Sequence, residues 1–399
     1  MQSIPQKSKL EFVAMMASLM SLVALSIDAL LPALQDIGVS LGAYENHDHQ
    51  LLITMIFLGI GCGQLLFGPL SDSFGRKPMI YVGFAIFVLA SFLCVSATNI
   101  ETMVIGRILQ GVGLSAPRSI SLSIIRDSFS GDYMARIMSF VVAIFILVPV
   151  VAPALGKMML DTFGWKSIFY SQLLFGFLII SWLWKRQPET LAPEHKKPFH
   201  WRLFVTGTLE FLQFRQAIVF TLISGFITGS FMVFLSTSQQ IFEVQYGLKE
   251  EFPYIFAALA FSVGLATFIN GTLVVRFGMR NMVYISSVLF TLVSLMYVLL
   301  FFTKSANPSI YVLVTFFVLQ FFAVGFLFGN ARSIAMQPLG HIAGIGAAIN
   351  GFVSTVMAVP IATFIGDYVT TTALPLFLGF SICGCITLLL LLSVRKVKN

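Results

Sequence analysis

The chain has 399 residues, of which 57% are hydrophobic and only 10% charged, with 41 phenylalanines. Soluble domains carry about a quarter charged residues, so a water-facing surface cannot be built from this composition, and lipid is the natural solvent. The net charge of +7 falls in segments between apolar runs, which points to membrane topology and away from nucleic acid.

A helix that crosses the hydrocarbon core needs ~20 mostly apolar residues. Such runs are predicted at 12–34, 51–71, 79–98, 102–125, 137–160, 166–184, 216–240, 252–275, 282–302, 310–334, 344–367 and 374–394. The first follows Lys7 and Lys9 as a signal peptide would, but it is too long, and eleven more follow, so it is read as the first helix. The expected fold is an all-α membrane protein of twelve spans. It divides into a six-helix half (1–184), a basic linker (185–215) and a second six-helix half (216–399). With the N-terminus placed in the cytoplasm, that side collects most of the Lys and Arg, among them Lys7, Lys9, Arg76, Lys77, Arg126, Arg136, Arg332, the linker cations, Arg395, Lys396 and Lys398. The opposite side keeps Lys157, Lys166, Lys249 and Lys304. Both termini are therefore expected in the cytoplasm of a bacterial inner membrane.

The chain also repeats itself. Gly68-Pro-Leu-Ser-Asp-Ser-Phe-Gly-Arg-Lys77 follows the second span, and Gly271-Thr-Leu-Val-Val-Arg-Phe-Gly-Met-Arg280 follows the eighth. Leu, Phe, both glycines and a terminal basic residue recur in register. Two parallel halves related by an axis along the membrane normal form a transporter architecture, with a midplane site between them.

These residues resemble the major facilitator superfamily. Gly68 to Pro78 is similar to its signature loop, Arg107-Ile-Leu-Gln110-Gly111-Val-Gly113 to its helix 4 motif, and Pro149-Val-Val-Ala-Pro153-Ala-Leu-Gly156 to the helix 5 motif of proton-coupled exporters. Ser26-Ile-Asp28-Ala-Leu-Leu-Pro-Ala-Leu34 resembles the helix 1 signature of drug:proton antiporters. Arg126-Asp127, Gly164-Trp-Lys-Ser-Ile-Phe169 and Pro338-Leu-Gly-His-Ile-Ala-Gly344 are similar to the bicyclomycin and chloramphenicol resistance (Bcr/CflA) branch. The resemblance implies the major facilitator fold and export of small molecules against protons. It also implies a role for Arg107 in proton-linked conformational change. Two positions depart from the pattern: Lys157 follows Gly156 where a second glycine is usual, and helix 4 carries Pro117-Arg118.

On physical grounds Asp28 is the prime candidate for carrying the proton. It is the one acid well inside a predicted span, and intramembrane carboxylates are costly enough that they usually face a cavity and work. Arg107 and Arg118 lie eleven residues apart, about three turns, and share a helix face. Arg107 is expected to be functional, whereas for Arg118 snorkelling toward the cytoplasmic end is the stronger reading. The loop with Gly68, Asp72, Gly75, Arg76 and Lys77 is expected to act as a latch. Asp72 would dock on the positive end of the helix beginning near Gly344, while its basic neighbours sit at the headgroups. Met16, Gln64, Arg118, Phe231 and Asn330 are candidate cavity residues. Most intramembrane amides (Gln64, Gln110, Asn270, Gln320, Asn330, Asn350) are read as helix ties, and lipid contact is the default for phenylalanines such as Phe226 and Phe234.

His47-Asp48-His49 is read as a solvated loop, short of the ligands a metal needs. Cys62, Cys94, Cys383 and Cys385 lie in apolar runs without metal or disulfide spacing. No P-loop or hydrolase constellation is visible, so neither ATP, a cofactor nor catalysis is expected. The expected partners are a small-molecule substrate, protons and the bilayer, with the chain acting as a monomer. The alternatives are a dedicated exporter of an endogenous compound such as a siderophore or metabolite, and an importer or facilitator on the same fold.

Overall fold

The computed structural model describes residues 9–196, 201–304 and 306–395. Lys7, Lys197, Lys396 and Lys398, counted above among the cytoplasmic charges, lie outside these residues, as do the side chains of Arg136, Arg202 and Arg395. The described residues form helices and connections, with no strand among them. In chain order the helices are α1 (Lys9–Asp28), α2 (Leu34–Ser40), α3 (Asn46–Phe74), α4 (Arg76–Ser96), α5 (Ile100–Ser128), α6 (Gly131–Phe163) and α7 (Lys166–Arg186). They continue with α8 (Trp201–Phe211), α9 (Arg215–Gln239), α10 (Phe252–Phe277), α11 (Met279–Phe301), α12 (Ile310–Met336), α13 (Ala343–Gly366) and α14 (Leu374–Arg395). By length and composition, 11 of the helical segments found among the described residues can cross a membrane. The 33-residue α6, interrupted by Pro149 and Pro153, runs alongside them. Helices suit such a chain because lipid offers the backbone no hydrogen-bond partners and a helix satisfies its own.

Burial sorts these helices. The apolar windows of the segments containing α1 and α9 are 72% and 78% buried, whereas those of α7, α10 and α14 are 39% buried. α1 and α9 are therefore interior, and the other three lie at the periphery, with side chains such as Leu178, Phe268 and Leu389 exposed on their outer faces. α3 packs on α5 and α13, α9 on α12 and α13, and α6 on α1 and α10. The phenylalanines depart from the lipid-facing default. Phe234, Phe317, Phe321 and Phe377 are buried in a network of ring contacts, with Phe234 and Phe321 centred 4.5 Å apart.

Two predicted runs are not plain helices. The first ends at Asp28 and gives way to a short 3-10 turn, Leu31–Ala33, before α2. Pro32, which has no N–H to continue an α-helix, lies in that turn. The seventh runs on past Gln239 into a π-helical turn, Gln240–Gln245. The basic linker also contains structure: α8 packs on α13, with Gly207 against Ile345.

Candidate functional site

The break after Asp28 is gripped from two sides. Because the helix loosens there, the Leu30 N–H turns to the Ile27 carbonyl at 3.3 Å. The Ser26 carbonyl, one turn before Leu30, accepts instead from Arg107 Nη2 at 3.1 Å. Arg107 is fully enclosed, and it also donates to the Leu52 carbonyl of α3 (2.9 Å) and to Gln110 Oε1 (2.7 Å). Gln110 passes the network to Ser91 of α4 at 2.7 Å. On the other side a Cβ on Gly156 would land on the Ala29 carbonyl, so a glycine is what lets α6 touch the break. Gly111 allows the same closeness between α5 and the Ile56 carbonyl of α3, and Gly113 faces Gly83 of α4.

Asp28 itself is 5% exposed and forms no hydrogen bond or ion pair with a described residue. It does not pair with Arg107, whose contact with α1 is the carbonyl two residues earlier. Nor is it the one buried acid in the helices. Glu243, in the π-helical turn, is 8% exposed; its Oε2 accepts from Gln239 at 3.0 Å and its Oε1 has no partner. The sequence reading missed it because the predicted span stopped at 240. A lone acid inside Ile241-Phe242-Glu243-Val244 was the available signal.

The candidate cavity residues divide. Met16 is fully enclosed in the core. Asn330 and Asn270 donate to each other's amide oxygens (2.8 and 3.3 Å), a tie between α12 and α10. Asn350 ties α13 to Thr221, whereas both amide atoms of Gln320 are buried without partners. Gln64, Arg118 and Phe231 are only half-buried.

At the end where α3 meets α4, Gly75 turns the chain with φ +109°, and Gly68 has open space beside it. Arg76 does not reach outward as expected. It is 6% exposed and donates to Asp72 Oδ1 (2.5 Å), Ser71 Oγ (2.8 Å) and Asp127 Oδ2 (2.8 Å). Glu189 accepts from the Arg76 and Lys77 backbone N–H groups, both at 3.0 Å, a carboxylate on the positive end of α4. Lys77 Nζ reaches the Trp184 carbonyl at 3.4 Å. Asp72 Oδ2 lies 3.7 Å from where a Cβ on Gly344 would be, beside the start of α13.

The opposite end carries its own ties. His47-Asp48-His49, read from sequence as a solvated loop, forms the first turn of α3, and His47 faces Asp367 at 2.5 Å. Gln50 donates to Gln240 Oε1 (3.1 Å) and to the Gly366 carbonyl (3.2 Å). Lys157, at the departure from the helix 5 pattern, pairs with Asp161 (2.6 Å) and with Glu250 ahead of α10 (3.1 Å).

Comparison with known proteins fits this architecture. The Major Facilitator Superfamily profile matches residues 12–362. A bicyclomycin resistance protein homolog from Haemophilus influenzae is 25% identical, with 99% of each chain covered. The multidrug resistance protein MdtL from Klebsiella pneumoniae is 26% identical, covering 93% of this chain and 92% of its own. In fold, the crystal structure of a D-xylose-proton symporter superposes with a TM-score of 0.73 over 98% of both chains, at 15% identity. The chain belongs to the Major Facilitator Superfamily of transporters, as a multi-pass membrane protein similar to the drug-resistance proteins of the bicyclomycin branch.

Proposed function

We propose that this chain is a proton-coupled secondary exporter of small drug-like or amphipathic molecules. It would work by alternating access between two six-helix halves, with twelve crossings, in a bacterial inner membrane and with both termini cytoplasmic. The observation that carries the reading is Asp28, an enclosed carboxyl without a partner at the break in α1. An unpaired buried charge is expensive, so such a group is neutral while enclosed and ionises when water or a charged ligand reaches it. Arg107 and Gly156 hold the backbone on either side of the break. A shift of α5 or α6 therefore moves the groups around Asp28 and changes its access to water. Coupling follows when the two protonation states bind substrate with different affinity, and the linkage is reciprocal. At the basic end, Asp72 beside the start of α13 supports the latch reading.

The test is reconstituted transport under an imposed proton gradient, with chloramphenicol and ethidium as probes. Asp28→Asn, a mimic of the protonated state, is expected to insert normally and lose at least ~10-fold of the gradient-driven rate, the scale of a ~1.4 kcal/mol coupling. A mutant that still follows ΔpH in full moves the coupling carboxylate elsewhere, with Glu243 next to be substituted. Reporters fused after residue 398 and in the 185–215 linker are expected in the cytoplasm, and one within 35–50 in the periplasm.

A further inference from the structure

Two interior guanidiniums find no hydrogen-bond or ion-pair partner among the described residues. Arg118 on α5 and Arg332 on α12 are half-buried, and neither forms a hydrogen bond or ion pair with a described residue. The Nε of Arg332 is enclosed with no partner. Arg118 lies within electrostatic reach of Arg332, and no described acid forms an ion pair with either.

Neither is an end charge reaching for water. Arg332 was counted from sequence among the cytoplasmic loop cations, but it lies within α12, and its guanidinium carbon sits 5.9 Å from the Phe328 ring, one turn back toward the membrane centre. Helical side chains lean toward the N-terminus, which for α12 is inward from the basic end. Arg118 lies ten residues before the end of α5, roughly 15 Å along the axis. Arg107, on the same helix, shows what this chain does with a structural guanidinium: it is fully enclosed and spread over two carbonyls and a glutamine. Arg118 and Arg332 have none of that, and two like charges without a counterion are costly at membrane depth.

The surroundings add an apolar wall. Phe328 meets Phe231 of α9 edge-on at 5.6 Å, and both rings keep exposed surface. Gln64 of α3 presents a half-buried amide that forms no hydrogen bond with a described residue and sets its Oε1 against Gly351 of α13. α3 packs on both α5 and α9, and α9 packs on α12, so the helices that carry Gln64, Arg118, Phe231 and Arg332 are linked through shared neighbours.

We propose that Arg118 and Arg332 bind the anionic head of the transported molecule while Phe231 and Phe328 receive its aromatic body, so that the substrate class is an amphipathic organic carboxylate or sulfonate. The proposal rests on the exporter reading and narrows it. Guanidinium groups suit this head because their planar donors match an oxyanion in pairs. Expelling one anion as one proton enters carries net positive charge inward, so an inside-negative potential drives the cycle. A lipid headgroup offers the same chemistry from another source.

The full-length chain, purified in neutral detergent, is titrated with radiolabelled naphthalene-1-sulfonate and with its shape-matched cation, 1-naphthyltrimethylammonium. The sulfonate is expected to bind at least tenfold more tightly than the cation. Arg118→Gln and Arg332→Gln are each expected to weaken the sulfonate tenfold or more. In the unsubstituted chain, where no variant needs to fold, the sulfonate is expected to shield both arginines from phenylglyoxal, read by peptide mass spectrometry. Preference for the cation, unchanged binding in both glutamine variants, or undiminished phenylglyoxal reaction would each overturn the anion site. Displacement by equimolar phosphatidylglycerol would overturn it too, reassigning the arginines to a headgroup. No gradient enters these measurements, so failure of the Asp28 test leaves them standing. Conversely, gradient-driven export of ethidium alone would sink the anion site and keep the exporter.

Discussion

The turns at Gly75 and Gly278 are copies of one motif, yet they are held in different ways. Both glycines take positive φ, +109° and +79°, and a new helix starts directly after each. In the first copy, Arg76 is enclosed between Asp72 and Asp127, and Glu189 caps the following helix. In the second, Val275 and Met279 stand where the repeat would put Asp72 and Arg76. There Arg276 lies exposed over the Phe277 ring at 5.3 Å, and Arg280 donates to Gln216 at 2.6 Å. The glycine and the flanking charges make the turn in both copies. Carboxylates recruited from α5 and from the segment after α7 make only the first a junction of several helices.

That contrast can be broken most forcefully at Arg76. Arg76→Gln strands Asp72 and Asp127 without their cation; these carboxylates are 37% and 21% exposed, so losing their charged hydrogen bonds should cost ~1.5–3 kcal/mol. Thermal unfolding in detergent should show this as a large drop in midpoint. The corresponding loss in the second loop, Arg280→Gln, should stay within ~0.5 kcal/mol because the site is exposed.

Asp72→Asn tests motion more than stability. The Asp72 side chain is 37% exposed, so solvent screening limits the loss to about 1 kcal/mol. Transport is nonetheless expected to fall several-fold if docking beside Gly344 holds the latch, and a wild-type rate would reduce the loop to a topology signal. Glu189→Gln removes the charge on the α4 terminus and one of the two oxygens that accept from the Arg76 and Lys77 N–H groups, because an amide nitrogen only donates. Its cost should be ~0.3–1 kcal/mol, visible as a small shift in the same melt and reduced by added salt. The smallest effect is expected from installing the missing acid, Val275→Asp. Val275 is 86% exposed and Met279 supplies no charge, so stability and transport should both stay near wild type. A gain would show that the second loop can be latched too.

The same division governs what was legible before folding. Apolar length located the long helices, because lipid forbids an unpaired backbone, whereas α2 and α8 lie outside the predicted runs. Gly75 and the glycines of α5 were readable as motif residues, since a turn or a close approach has a local signature. The break at Asp28 was half-legible: Pro32 was visible, but the apolar run continued past it. Glu243 was lost because the π-helical turn that carries it inward extends a helix whose apolar run had ended.

The sequence by itself determined that this chain lives in lipid, where its long apolar helices run, and that Asp28 is an acid within an apolar run. Only the tertiary structure decided which charges are answered. Arg76 finds Asp127 across 51 residues and its backbone finds Glu189 across 113, while Arg118 and Arg332 form no ion pair with a described acid. Whether a charge is paired depends on which helix faces meet, a relation between distant segments that no local pattern records.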